Sequence, residues 1–351
     1  MAKKLNEKQQ KIIISKLKKI IGKEKQRINL EKDIEVENAR IKNITQAIAA
    51  YGAKPQNFVG MLTFTIAGDE NRISPMDDLE TIKNKTKIAY DSMLYFIYKL
   101  RRFLSKKNFE FIYLISFELQ KDGNLHSHIY FSIPLKAFYD VFLFYHNYKK
   151  SFTQPKQIKS GTNIKTIIHI GRSQLGISMK FMEKLISLGY EFVPHQNPEK
   201  PDRFDWRCTN FVSKTEFRTG NWPTLNFYKQ EDMEKLYSEK ITEYLRKKHS
   251  KAKIQKTVGS QLVEHNSKFF YDSDEWSEIQ KKFIRKICGK VYTASRLPIP
   301  VSKYQKYRKQ IMKIYPTYSN LNTLMTDYLN GKAKYENDIL TCPNGKSIKL
   351  R

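Results

Sequence analysis

Two histidines one residue apart, His126 and His128, follow an apolar segment that carries Glu118, with Lys121-Asp122-Gly123 between them. The pattern reads as a β-hairpin, with Ile112 to Leu119 as one strand and Leu125 to Ile133 as the return strand. Residues two apart in a strand share a face, so His126 and His128 project together and Ser127 points away. Paired imidazoles are ready ligands for a metal ion. The turn decides where Glu118 points. A two-residue Asp122-Gly123 turn sets it opposite Ser127, on the wrong face. A three-residue Lys121-Asp122-Gly123 loop, with Gly123 left-handed, sets it opposite His126. The second register, which is the expectation here, brings two imidazoles and one carboxylate together. The competing reading is a pair of ordinary surface histidines.

A second group able to do chemistry lies in Tyr244-Leu245-Arg246-Lys247-Lys248-His249-Ser250-Lys251. A tyrosine and a lysine three residues on share one helical face. The phenolate suits attack on a phosphodiester, and the cation lowers its pKa and offsets charge on the phosphorus. In a chain with 21 tyrosines this spacing alone says little. Tyr237-Ser238-Glu239-Lys240 repeats it two helical turns earlier, so Tyr237 is either a second nucleophile or a packed aromatic.

Several elements must position these residues. Phe58 to Ala67 reads as a buried strand, residues 78 to 105 as a long amphipathic helix, Leu135 to Lys150 as a helix and Glu231 to Lys253 as another. Ile164 to Ile170 and Phe204 to Phe217 read as strands, Ser178 to Leu188 as a helix, and Pro198, Pro201 and Pro223 as loop markers. His169 and His195 are read as structural or surface residues. The order strand, helix, hairpin, helix predicts an α+β fold, a central antiparallel β-sheet with helices packed on it. Residues 1–52 are expected to form a basic helical extension, 53–255 the domain that carries these candidate residues, and 256–351 a basic, aromatic-rich, mainly helical region suited to DNA binding or an accessory role.

Lys and Arg number 64 against 35 Asp and Glu, a formal charge of +29, which points to a polyanionic partner such as nucleic acid. Hydrophobic content of 40% excludes a disordered basic tail. Cys208, Cys288 and Cys342 form no CxxC pair, and no apolar run reaches the ~18 residues of a membrane span. A soluble cytoplasmic protein without membrane attachment is expected. No Gly-x-x-x-x-Gly-Lys-Ser/Thr loop is present, so a fused helicase is not expected.

In chain order, Met61-Leu62-Thr63-Phe64-Thr65, the segment Phe117 to His128 and the segment Tyr244 to Lys251 resemble three motifs of the HUH endonucleases. The order is that of the rolling-circle replication initiator (Rep) proteins of plasmids and phages. The resemblance covers roughly residues 55 to 255. Ser127 stands where the family usually has a hydrophobic residue, and Lys248 where a second tyrosine is frequent. The resemblance implies a divalent cation, Mg²⁺ or Mn²⁺, on Glu118, His126 and His128. It also implies Tyr244 as nucleophile on single-stranded or melted origin DNA, Lys247 as its helper, and a 5′-phosphotyrosine with a free 3′-OH primer. A host or replicon helicase and polymerase would be recruited. A transposase or relaxase with the same chemistry, and an initiator that only binds its origin, are the alternatives.

Overall fold

The computed structural model describes residues 6–22, 56–66, 68–150, 154–178, 183, 185–189, 192–197, 200–208, 224–228, 274–295, 299, 301–329 and 331–350, with isolated positions between 41 and 52. Tyr237, Tyr244 and Lys247, and the helix expected over 231–253, lie outside the described residues.

The first long strand, β1 (Asn57–Ile66), is buried on both faces from Asn57 to Leu62, while Thr63 and Thr65 on one face are half-buried. Helix α1 (Glu7–Ile21) precedes it, and α2 (Leu79–Lys106) follows. The Asp78 side chain caps α2, accepting from the Thr81 N–H at 2.7 Å. Then come β2 (Ile112–Leu119), β3 (Leu125–Pro134) and α3 (Phe138–Lys150). The expected helix from Leu135 begins instead as a short 3₁₀ turn over Leu135–Ala137. Strands β4 (Lys156–Ser160) and β5 (Asn163–Ile167) form a separate hairpin. Beyond them lie β6 (Ile170–Ser178), β7 (Phe192–Asn197), β8 (Lys200–Cys208) and β9 (Thr224–Tyr228). The chain closes with α4 (Asp274–Cys288), β10 (Tyr292–Ala294), α5 (Val301–Ile314), α6 (Leu321–Leu329) and a small sheet of β11 (Lys334–Glu336), β12 (Ile339–Thr341) and β13 (Ser347–Lys349).

The principal sheet has eight strands in the order β10-β2-β3-β1-β6-β9-β8-β7. Every neighbouring pair is antiparallel except β6 with β9. With helices packed on it, the architecture is α+β. One face of the β1–β3 region presents Phe58, Phe64, Phe117 and Phe131, all buried, to α2 and α3. Phe64 meets Phe96 edge-on at 4.6 Å, Phe117 meets Tyr90 at 4.6 Å, and Phe58 meets Phe138 at 5.5 Å. Such contacts add to the burial of large apolar area and fix the helices over the sheet. On the opposite face, helical residues around Ile44, Ile48 and Tyr51 cover the far end. A Cβ on Gly52 would lie 1.8 Å from Val59 Cγ2, so only glycine lets this helix approach the sheet.

The division at 255/256 expected from composition does not describe residues 274–295. Strand β10 pairs with β2, the Phe117 N–H donates to the Val291 carbonyl at 2.9 Å, and the Leu119 N–H donates to Gln280 Oε1 at 3.0 Å. The N-terminal helix joins the same core. Its buried stripe of Ile13, Leu17, Ile20 and Ile21 packs by α4, where Lys286 donates to the Ile21 carbonyl at 2.9 Å.

Pro201 is not a loop residue but lies within β8. It sits where the β7–β8 register slips between Gln196 and Asn197, a stretch in which a missing N–H costs no ladder bond. Ser178 ends β6, and within the helix expected from Ser178 to Leu188 the described Glu183 and Leu185 to Ser187 are helical. Among the described residues, no helix is long and apolar enough to cross a membrane.

Candidate metal centre

The β2–β3 register places Glu118 opposite His126 and Ser116 opposite His128. The loop responsible is the three-residue form. The Gln120 N–H donates to the Asn124 carbonyl at 2.8 Å, the Gly123 N–H donates to the Gln120 carbonyl at 2.8 Å, and Gly123 has φ 79°. A left-handed residue there forms the bulge that shifts the return strand by one position, and glycine adopts it without strain. The tip is tied down on two sides. Arg72 pairs with Asp122, and the Asn124 Oδ1 accepts from the Ile73 N–H at 2.7 Å. Ile13 of α1 lies against Gly123, where an added Cβ would sit 2.6 Å from its Cγ2.

Two strands therefore present three ligand atoms to one point. His126 Nε2 and His128 Nε2 are 3.0 Å apart, and Glu118 Oε2 is 3.7 and 3.8 Å from them. The rings stand nearly perpendicular, at 87°. The donors all lie within 4.8 Å of one another, and among the described residues no other His, Cys, Asp or Glu group of three does so. A cation at ~2.0–2.2 Å from two donors spans them up to ~4.4 Å, so all three separations fit one ion. Side-chain exposures of 13% for His126 and 23% for Glu118 and His128 leave the centre shielded but reachable.

Burial pushes the His126 imidazole well below its ordinary pKa, and the neighbouring His128 acts in the same direction. His126 is therefore neutral, the form that ligates. At 3.0 Å the two Nε2 atoms are close enough to share one proton or one cation. Thr63 settles which way His128 faces: its Oγ1 is 2.9 Å from His128 Nδ1. With the Nδ1 proton given to Thr63, the Nε2 lone pair points at the centre. His126 Nδ1 is buried without a hydrogen-bond partner.

Sequence reasoning named Thr63 within a strand motif but gave it no role. Its partner appears only once β1 is known to pair with β3, with Thr63 opposite His128. Arg72 and Asn124 had no signal in the sequence, since their roles depend on a loop folding back from 68–78 onto the hairpin. Ser127 is wholly buried on the opposite face, beneath α2, and its hydroxyl has no partner. His169 lies between β5 and β6, and His195 lies in β7. Tyr244, Lys247 and Tyr237 lie outside the described residues, so the structure does not relate them to the centre.

Comparison with protein-family models, with curated proteins and with solved structures finds no match for this chain.

Proposed function

We propose that this chain is a metal-dependent enzyme that nicks and rejoins single-stranded DNA at a specific site, in the manner of a rolling-circle replication initiator. The observation that carries the reading is the convergence of Glu118, His126 and His128 on one face of a two-strand hairpin, with Thr63 orienting His128. The chain's charge of +29 suits a nucleic-acid substrate.

A divalent cation bound by these three residues supplies Lewis acidity at a phosphate oxygen. Two imidazoles and a carboxylate suit Mn²⁺ better than Mg²⁺, which prefers oxygen ligands. Tyr244 is the nucleophile. Its Oη–P bond forms as the P–O3′ bond breaks, the phenolic proton is lost, and the departing 3′-oxygen takes up a proton. The product is a 5′-phosphotyrosine and a 3′-OH primer. Lys247 offsets the charge that develops on the phosphate, and Tyr237 is the reserve nucleophile. Reversal with a new 3′-OH reseals the strand.

The deciding experiment incubates single-stranded oligonucleotides spanning the origin of the encoding replicon with protein and Mn²⁺, with and without EDTA. A metal-dependent covalent adduct lost in Tyr244→Phe supports the assignment, and loss only in Tyr237→Phe moves the nucleophile. Tight binding without cleavage, unchanged in His126→Ala, favours an initiator that only binds its origin. Oligonucleotide chemistry does not separate an initiator from a transposase or relaxase. The target DNA and genomic neighbourhood do.

A further inference from the structure

The C-terminal end of α2 carries an open cleft of about 680 Å³, lined by Tyr98, Arg101, Arg102, Ser105, Lys106, Phe109 and Phe111. Tyr98, Arg101, Arg102, Ser105 and Lys106 are exposed on α2, and Tyr98 shows 49% of its surface. Spacings of three and four residues put them on one helical face. The turn after α2 supplies the aromatic wall. Phe111 stacks on Tyr113 at 4.9 Å, and the exposed Lys136 sits 5.4 Å over the Phe109 ring.

Three cations within six residues repel one another, yet among the described residues none is ion-paired and no carboxylate lines the cleft. Glu110, between Phe109 and Phe111 in the chain, hydrogen-bonds Tyr51, and Asp140 pairs with Lys107. Uncompensated cations beside one exposed aromatic ring, Tyr98, match a ligand with regularly spaced negative charge and flat rings. Phosphodiester backbone and unpaired bases have that chemistry.

We propose that this cleft is a second binding site for single-stranded nucleic acid. Arg101, Arg102 and Lys106 contact successive phosphates, and a base stacks on Tyr98. It is distinct from the metal centre. It lies on the face of the sheet covered by α2 and beside the start of β2, whereas Glu118 is six residues further along, about 20 Å at 3.3 Å per residue. The inference does not depend on the chemistry proposed for the centre.

The test measures binding of a fluorescein-labelled oligothymidylate of about 20 nucleotides, long enough for such a site, to the full chain in EDTA across a salt series. In Arg101→Gln/Arg102→Gln/Lys106→Gln, affinity falls at least roughly tenfold and the slope of log K against log salt shrinks by about 2, at about 0.7 per lost phosphate contact. Tyr98→Ala weakens binding roughly tenfold with the slope unchanged, and Tyr98→Phe restores it. All these side chains are exposed, and unchanged thermal melting shows that the fold is kept. An equal loss in the control Lys8→Gln/Lys11→Gln/Lys19→Gln overturns the site in favour of net charge alone. Unchanged binding in the cleft variants overturns it outright, as does capture of phosphatidylserine vesicles with no oligonucleotide binding. Because metal is absent, the result is independent of whether origin DNA is nicked.

Discussion

Thr63 Oγ1 lies 2.9 Å from His128 Nδ1 across the β1–β3 pair, where the two residues face each other in register. The bond links the first apolar strand to the metal-ligating hairpin, and it selects the imidazole nitrogen that faces Glu118. Thr63→Val keeps the side-chain shape and removes the hydroxyl, so His128 loses its orientation. Affinity for Mn²⁺, measured by calorimetry, falls about 10–100-fold, the range for loss of a ligand's supporting hydrogen bond. The fold loses only about 1 kcal/mol. Thr63→Ser retains the affinity. An affinity for Mn²⁺ unchanged in Thr63→Val would show that the bond plays no part in binding.

His126 makes the metal-free protein sensitive to acid. Its folded pKa is depressed by burial below the ordinary 6.5, so below pH 6.5 the unfolded chain binds a proton that the folded chain does not. Stability is complete above that pH and declines as pH falls from 6.5 towards the depressed folded value, by up to about 1.4 kcal/mol per unit. Urea denaturation of the EDTA-treated protein between pH 7.5 and 5 measures the slope. His126→Gln, which cannot titrate, shows a shallower decline than the wild type, and equal slopes would assign the acid sensitivity to other groups.

The hairpin was legible because its signals are local. Ile112 to Leu119 and Leu125 to Ile133 are apolar, and Lys121-Asp122-Gly123 admits a loop with a left-handed third residue, which fixes the Glu118–His126 register. Strand β5 falls within the stretch read as a strand from Ile164, but its partner β4 left no such trace. Lys156–Ser160 is exposed along nearly its whole length, so no alternation of apolar residues marks it. The parallel β6–β9 pair and the docking of Tyr292–Ala294 on β2 join residues far apart in the chain, which no local pattern encodes. Of the prolines read as loop markers, Pro201 lies in a strand. Pro194 lies in β7 at the sheet's edge, where one side of the backbone needs no partner, and Pro201 lies in the slipped stretch of β8. For the site, His126, His128 and Glu118 were readable from strand periodicity, whereas Thr63 as a support was not, because its role requires tertiary pairing.

Ser127 separates the chemistry of the hairpin from its packing. The hydroxyl is buried among Phe64, Phe117 and the covering α2 with no hydrogen-bond partner, so its desolvation is uncompensated. Ser127→Ala removes the polar atom without adding volume and raises stability by about 1 kcal/mol in chemical denaturation. Because the side chain points away from the two imidazoles, Mn²⁺ affinity is unchanged. A destabilised Ser127→Ala protein would mean that the hydroxyl has a partner after all.

Gly123 is the position where backbone geometry and metal ligation meet. Alanine there must hold φ 79°, which costs about 1–2 kcal/mol for an L residue, and its Cβ would lie 2.6 Å from Ile13 Cγ2. Relief of that clash needs movement of α1 or of the hairpin tip, at a further cost of about 1–3 kcal/mol. Gly123→Ala is therefore destabilised by about 2–5 kcal/mol in urea. Relaxation of the tip also disturbs the bulge that sets Glu118 opposite His126, so Mn²⁺ binding weakens together with stability. Asp122→Asn, which weakens the Arg72 pair but leaves Gly123 in place, lowers stability less and retains the metal affinity. Measuring both variants by denaturation and calorimetry separates the two contributions. Metal affinity in Gly123→Ala equal to that of the wild type would show that the loop conformation does not control the placement of Glu118.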